Sequence, residues 1–112
     1  MSSRPLTPHI DAAALAAKWA ALHEAAGAVA AMAGTSQAAC DSDFRARAAA
    51  AGSWRLELAD RGIDDIAAVM RPGIAALVAA RAAGARPGAA AGALWSEFVR
   101  GRDAVLDLLP RA

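Results

Sequence analysis

The chain has 112 residues, with 12 basic and 11 acidic side chains, a formal net charge of +1 and a hydrophobic fraction of 57%. This length predicts one domain, and the interspersed charges argue against a nucleic-acid-binding face. Alanine makes up roughly a third of the residues and β-branched residues are sparse, so helices are favoured over strands. We predict an all-α, up-down-up-down four-helix bundle over residues 11–112, preceded by an extended arm at residues 1–10.

The first predicted helix begins after Asp11, which is a good N-cap, and ends at Gly34, which is a natural C-terminal stop. Its apolar side chains recur at steps of three and four residues, the period of a helix that buries one stripe. The stripe consists of Leu15, Trp19, Leu22, Ala26, Val29 and Ala33.

The second predicted helix begins at Asp41 or Ser42, after a loop, and ends at Gly62. Because Leu56 falls off its apolar stripe, this helix is expected to contact neighbours on two sides. Ile63 and Asp64 then predict the start of the next helix, because an apolar residue is followed by an N-cap. The stripe of the second helix is Phe44, Ala48, Ala51, Trp54 and Leu58.

The third predicted helix covers about residues 64–83, and its stripe of Ile66, Met70 and Ile74 passes through Pro72 without losing phase. Proline inside a helix removes one hydrogen bond and kinks it, at a cost of about 3 kcal/mol or more. We favour one kinked helix, with two short helices as the alternative.

The fourth predicted helix follows a stop at Gly84, begins near Pro87 and is closed by Pro110. Each glycine inside it weakens the helix by about 1 kcal/mol, unless it allows close contact with a partner helix. Those glycines are Gly88, Gly92 and Gly101, and the stripe is Ala91, Leu94, Trp95, Phe98, Arg102, Val105 and Leu109.

His23 is the most reactive-looking side chain of the predicted helices, and its angle to the stripe places it at the edge or surface of the bundle. The segment is similar to histidine phosphotransfer domains in His23, Gly27 and Ala28. That resemblance implies a phosphorylatable histidine on a helical bundle. Ala26 stands where the family has lysine, and Glu24 adds a repelling charge. We favour a solvated or interface histidine and keep phosphotransfer as an alternative.

A second alternative is a small-ligand or enzymatic bundle that holds a dianion with inward-facing cations, as chorismate mutases do. The cations available for this role are Lys18, Arg47, Arg55, Arg71 and Arg81. Arg55 and Arg102 lie near apolar stripes, where arginine more often extends its head group to water or pairs with a carboxylate.

The tryptophans Trp19, Trp54 and Trp95 lie on or beside stripes, which favours core packing. The alternative is an aromatic-lined pocket between helices one, two and four, or an interface, to which Arg55 and Arg102 would contribute.

No other pattern predicts chemistry. Cys40 is the single cysteine and has no adjacent base, and His9, His23 and Glu24 lack the spacing of a metal site. The stretch LADRGIDDIAAVMR superficially resembles a helix-turn-helix, but its flanking helices are too long for that motif. Its Asp64 and Asp65 would also be the first residues to face the DNA phosphates, which are negatively charged as well. We expect no cofactor and no metal, and a non-enzymatic role is favoured.

The N-terminal residues lack the apolar core of a signal peptide, and no apolar stretch is long enough to span a membrane, so a cytoplasmic protein is expected. The composition fits a GC-rich bacterial genome. Large apolar residues form only about a quarter of the chain, which is few for filling the core of one domain. Dimerisation would bury further apolar surface. We therefore predict a protein–protein interaction or accessory module that acts as a homodimer.

Overall fold

The computed structural model describes residues 10–35 and 43–110, and these residues form four helices and no strands. The helices are α1 (Ala12–Ala33), α2 (Phe44–Ala49), α3 (Ser53–Ala82) and α4 (Gly88–Leu108). The all-α, four-helix prediction is confirmed. The predicted arm up to His9, the cap at Asp41 or Ser42, and Cys40 lie outside the described residues.

The first helix has the bounds and caps that its sequence predicts. The Asp11 carboxylate accepts a hydrogen bond of 2.7 Å from the backbone N–H of Ala14. Gly34 ends the helix with a φ of 72°, a left-handed conformation that glycine adopts without steric cost. Leu15 and Val29 are fully buried, as expected for the predicted stripe.

The second predicted helix is wrong, because the chain breaks into helices at a different place. Helix α2 has only six residues, and α3 then runs for 30 residues straight through Gly62. Consequently Trp54 and Leu58, predicted to be buried, are 59% and 38% exposed. The restart at Ile63 and the helix-turn-helix alternative are also wrong, since α3 has no turn there.

Gly62 is a packing residue and not a helix stop. A Cβ atom built on it would lie 2.9 Å from Cγ2 of Val105 in α4. The missing side chain therefore makes room for a valine on the neighbouring helix. Gly73 has the same role, since a Cβ there would lie 2.8 Å from Cδ2 of Leu94.

Helix α3 also continues through Pro72, which excludes the alternative of two short helices. The proline ring lies on the exposed side of α3, while Met70 and Leu77 are buried on the other side. Packing on both sides of the proline holds the helix together despite the missing hydrogen bond. The kink itself stays a prediction.

Of the three long helices, α4 runs in the direction opposite to the other two. Gly62 meets Val105 and Gly101 meets Ile66, so α3 and α4 are antiparallel. His23 of α1 contacts Phe98 of α4, and the start of α4 lies near the end of α1, so these two helices are antiparallel as well. Helices α1 and α3 are therefore parallel.

The up-down-up-down order of the four helices stays a prediction. The second helix of such a bundle would run beside α1 and α3 over their whole length. The six residues of α2 span only about 9 Å at 1.5 Å per residue, so α2 does not cover that face.

The glycines of α4 differ in their surroundings. A Cβ on Gly101 would lie 2.5 Å from Cγ1 of Ile66, so of the two alternatives the close helix contact applies there. Gly92 has nothing within 4 Å of such an atom, so at that position the glycine admits no neighbouring side chain. Gly88 would be only in ordinary contact with the backbone oxygen of Met32, at 4.0 Å.

Candidate functional site

A groove of about 270 Å³ lies between α1 and α3. Its walls are mostly apolar, because both helices turn part of their core-facing stripe toward it. The residues that form these walls are Leu22 and Ala25 of α1 and Ile63, Ala67, Met70 and Ile74 of α3.

One end of the groove carries a cluster of three charges. The Lys18 ammonium lies 2.5 Å from Oδ1 of Asp60 and 2.6 Å from Oδ1 of Asp64. Burial lowers the pKa of Lys18, but the hydrogen bonds and negative charges of the two aspartates outweigh this effect and raise it above its ordinary value. The cluster joins α1 to α3 and has a net charge of −1.

Arg71 lies toward the other end of the groove and is exposed. No carboxylate among the described residues forms an ion pair with its guanidinium. Asp64 and Arg71 are seven positions apart, which corresponds to about 10.5 Å along the helix. The groove is therefore apolar in the middle, negative at one end and positive at the other.

His23 is buried, with 5% of its surface exposed, so its predicted position at the edge of the bundle is wrong. Its ring makes an edge contact with Phe98 at 5.3 Å between centroids and a tilted contact with Trp19 at 4.9 Å. The reason is that α4 packs beside the predicted stripe and covers the neighbouring face of α1. A phosphotransfer histidine needs an exposed imidazole, which this packing does not provide.

The three tryptophans differ in their burial and their contacts. Trp19 is buried and stacks on Phe44 at 4.5 Å between centroids, while its Nε1 has no hydrogen-bond partner within the described part of the chain. Trp95 is half-buried beside Phe98. Trp54 is exposed and has the Arg55 guanidinium 4.6 Å above its ring. Core packing is thus confirmed for Trp19 and is wrong for Trp54.

Arg47 and Arg55 bind the C-terminal end of α4. The Arg47 guanidinium donates hydrogen bonds to the backbone oxygens of Leu106, Leu109 and Pro110 at 3.0, 3.4 and 2.9 Å. Arg55 donates to the oxygen of Leu108 at 2.9 Å. The oxygen of Leu106 also accepts a hydrogen bond of 3.1 Å from the backbone N–H of Leu109. The last carbonyls of a helix carry its negative partial charge, so two cations stabilise this end.

Replacing Arg47 with alanine should lower the free energy of unfolding by about 1–3 kcal/mol, because it leaves helix-end carbonyls without donors. Thermal unfolding followed by circular dichroism would measure the loss. Arg45→Ala is the matched control on the same short helix, since Arg45 is exposed, and its effect should stay within about 0.5 kcal/mol. Equal effects of the two variants would contradict a capping role for Arg47.

The predicted set of inward-facing cations does not converge on one site. Lys18 pairs with aspartates, Arg47 and Arg55 bind carbonyls, and Arg71 and Arg81 are exposed. Sequence reasoning missed the arginine contacts with α4 because the bonded residues lie 53 to 63 positions apart.

The other predicted site residue, Arg102, lies beside the Phe98 ring at 5.9 Å and 3.4 Å from Oδ1 of Asp103. Within residues 10–35 and 43–110, no three His, Cys, Asp or Glu side chains are grouped closely enough to hold a metal ion. In the same residues, none of the helices has the length and apolar character needed to cross a membrane. His9 lies outside the described residues.

Comparison of the chain with models of protein families, with curated proteins and with solved structures found no match. Its own residues are therefore the basis for a functional proposal. Among them, the residues that line the groove between α1 and α3 combine mostly apolar walls with charged groups at both ends.

Proposed function

We propose that this chain is a protein–protein interaction module that acts as a homodimer through the groove between α1 and α3. The observation that carries the proposal is the groove between α1 and α3, whose walls are mostly apolar and which no described residue fills. Helices bury an apolar stripe against another element, and here the described part of the chain supplies none along the groove. A second copy of the chain can supply it.

The dimensions of this face suit a dimer interface. Helix α1 has 22 residues, or about 33 Å, and α3 is longer, so the face is about 33 Å long and two helices wide. A standard interface buries about 800 Å² on each partner, which is the same scale. The alanines along the groove, such as Ala25 and Ala67, allow a partner helix to approach closely.

The alternative functions have less support from the geometry. His23 is enclosed by Trp19 and Phe98, which hinders attack by its imidazole on a phosphorylated partner. The cations suggested for binding a dianion are spread over the groove, the end of α4 and the exposed side of α3. Neither alternative gathers its residues around one cavity.

The proposal predicts that the mass measured by static light scattering rises with concentration from 11.3 kDa toward twice that value. Replacing Ala21, an exposed residue that lines the groove, with glutamate would place an unpaired charge in the interface. The dissociation constant should then increase by about tenfold or more, because 1.4 kcal/mol corresponds to a factor of ten.

The matched control is Ala20→Glu, which adds the same charge at an exposed neighbouring residue outside the groove. This variant should dimerise like the unmodified chain. A mass of 11.3 kDa at every concentration up to the millimolar range would contradict a homodimer. A dimer that Ala21→Glu leaves as stable as the unmodified one would place the interface on another surface.

A further inference from the structure

The side of α3 that borders the groove has an uneven distribution of charge. A row of residues at steps of three and four follows this side: Asp60, Asp64, Ala67, Arg71, Ile74 and Val78. Its first half carries two carboxylates and its second half carries one guanidinium. Beyond Ile74 the row continues into Val78, which is 52% exposed. The row thus begins with two acidic residues and has a small apolar residue at its centre. It then continues with one basic residue and ends with two apolar residues.

The ion cluster leaves negative charge available at the acidic end. Lys18 contacts both Asp60 and Asp64, so one positive charge is shared between two carboxylates. Asp64 is the more accessible of the two, with 60% of its side chain exposed compared with 26% for Asp60. Asp64 can therefore accept a second cation from outside the protomer while Lys18 remains paired with Asp60.

Symmetry limits how a second copy can meet this row. In a two-fold dimer with parallel α3 helices, each residue of the row would face its own counterpart, so Asp64 would face an aspartate and Arg71 an arginine. Like charges at this distance repel. With antiparallel helices and the two-fold axis between Ala67 and Ala68, Asp64 faces the arginine and Arg71 faces the aspartate. Two opposite-charge pairs then form around a centre of alanines.

We propose that the chain dimerises with its α3 helices antiparallel, so that Asp64 of each protomer pairs with Arg71 of the other on either side of Ala67 and Ala68. This inference rests on the proposed homodimer and adds its orientation, its register and the residues that determine partner choice. Opposite charges placed symmetrically about the axis favour this pairing over the parallel one and over unrelated apolar helices.

The test uses two charge-reversal variants of the full chain, D64R and R71D, studied by sedimentation velocity. Each variant alone places like charges opposite each other at both ends of the interface, so its dimer dissociation constant should increase about tenfold or more. An equimolar mixture of the two variants should restore dimerisation to near the unmodified level, because the mixed dimer again pairs opposite charges twice. Circular dichroism checks that each variant remains helical.

Asp65→Arg is the matched control, since Asp65 neighbours Asp64 in sequence but borders a different groove, between α3 and α4. It makes the same change of charge and should leave dimerisation unaltered. If the unmodified chain dimerises but D64R and R71D dimerise equally well, the antiparallel register is overturned while the homodimer stands. If the unmodified chain is monomeric at all concentrations, the proposed function fails and this register fails with it.

Discussion

Phe98→Ala is expected to lower the free energy of unfolding by about 3–5 kcal/mol, the range for removing a buried aromatic side chain. Phe98 has no exposed surface and lies in α4 against His23 of α1 and Trp95 of its own helix. Deleting the ring opens a cavity where α1 and α4 meet. Since domains are usually stable by only about 5–15 kcal/mol, such a loss would remove a large part of the stability.

Urea unfolding followed by circular dichroism at a fixed protein concentration measures this effect. The matched control is Trp54→Ala, which removes an even larger ring from a site where 59% of the residue is exposed. Its main contact is the Arg55 guanidinium, so the loss should stay below about 1 kcal/mol. If the control destabilised the chain as much as Phe98→Ala, Trp54 would have to belong to the core.

Gly101→Ala and Gly92→Ala are expected to change stability in opposite directions, although both replace a glycine within α4. Alanine is the better helix former by about 1 kcal/mol, and at Gly92 nothing opposes this gain. At Gly101 the new methyl group would lie 2.5 Å from Cγ1 of Ile66, which is β-branched and buried. Overpacking of this kind costs about 1–3 kcal/mol, so Gly101→Ala should be destabilising.

The two glycine variants control for each other, because they share the helix, the substitution and the change in unfolded-state entropy. Thermal unfolding of both proteins under one buffer condition gives the comparison. A rise in melting temperature for Gly101→Ala equal to that for Gly92→Ala would contradict the close packing of α3 against α4. A separation of several degrees, with the unmodified chain between the variants, is the expected result.

The first helix was predictable because its signals are local. Asp11 and Gly34 act on backbone groups within a few residues of themselves, and the stripe from Leu15 to Val29 shows the helical period. Between residues 43 and 83 the predicted helix boundaries were wrong, because Gly62 resembles the residue that ends a helix. A glycine that ends a helix and a glycine that admits a neighbouring side chain look alike until the position of Val105 is known.

The candidate site was predictable only in part. The spacing of Leu22, Met70 and Ile74 places them on apolar stripes, but the groove between them arises from the packing of α1 against α3. The burial of His23 depends on which side of α1 receives α4. Both outcomes depend on how helices pack against each other, and periodicity within a single helix contains no information about that packing.

The sequence by itself determined that this protein is helical and where α1 lies, because alanine content, caps and apolar spacing act through the local backbone. Only the tertiary structure decided that Gly62 and Gly101 make room for side chains of a neighbouring helix, that Arg47 binds carbonyls of α4, and that a groove lies between α1 and α3. These features arise between residues 35 or more positions apart, whose approach is determined by the packing of whole helices.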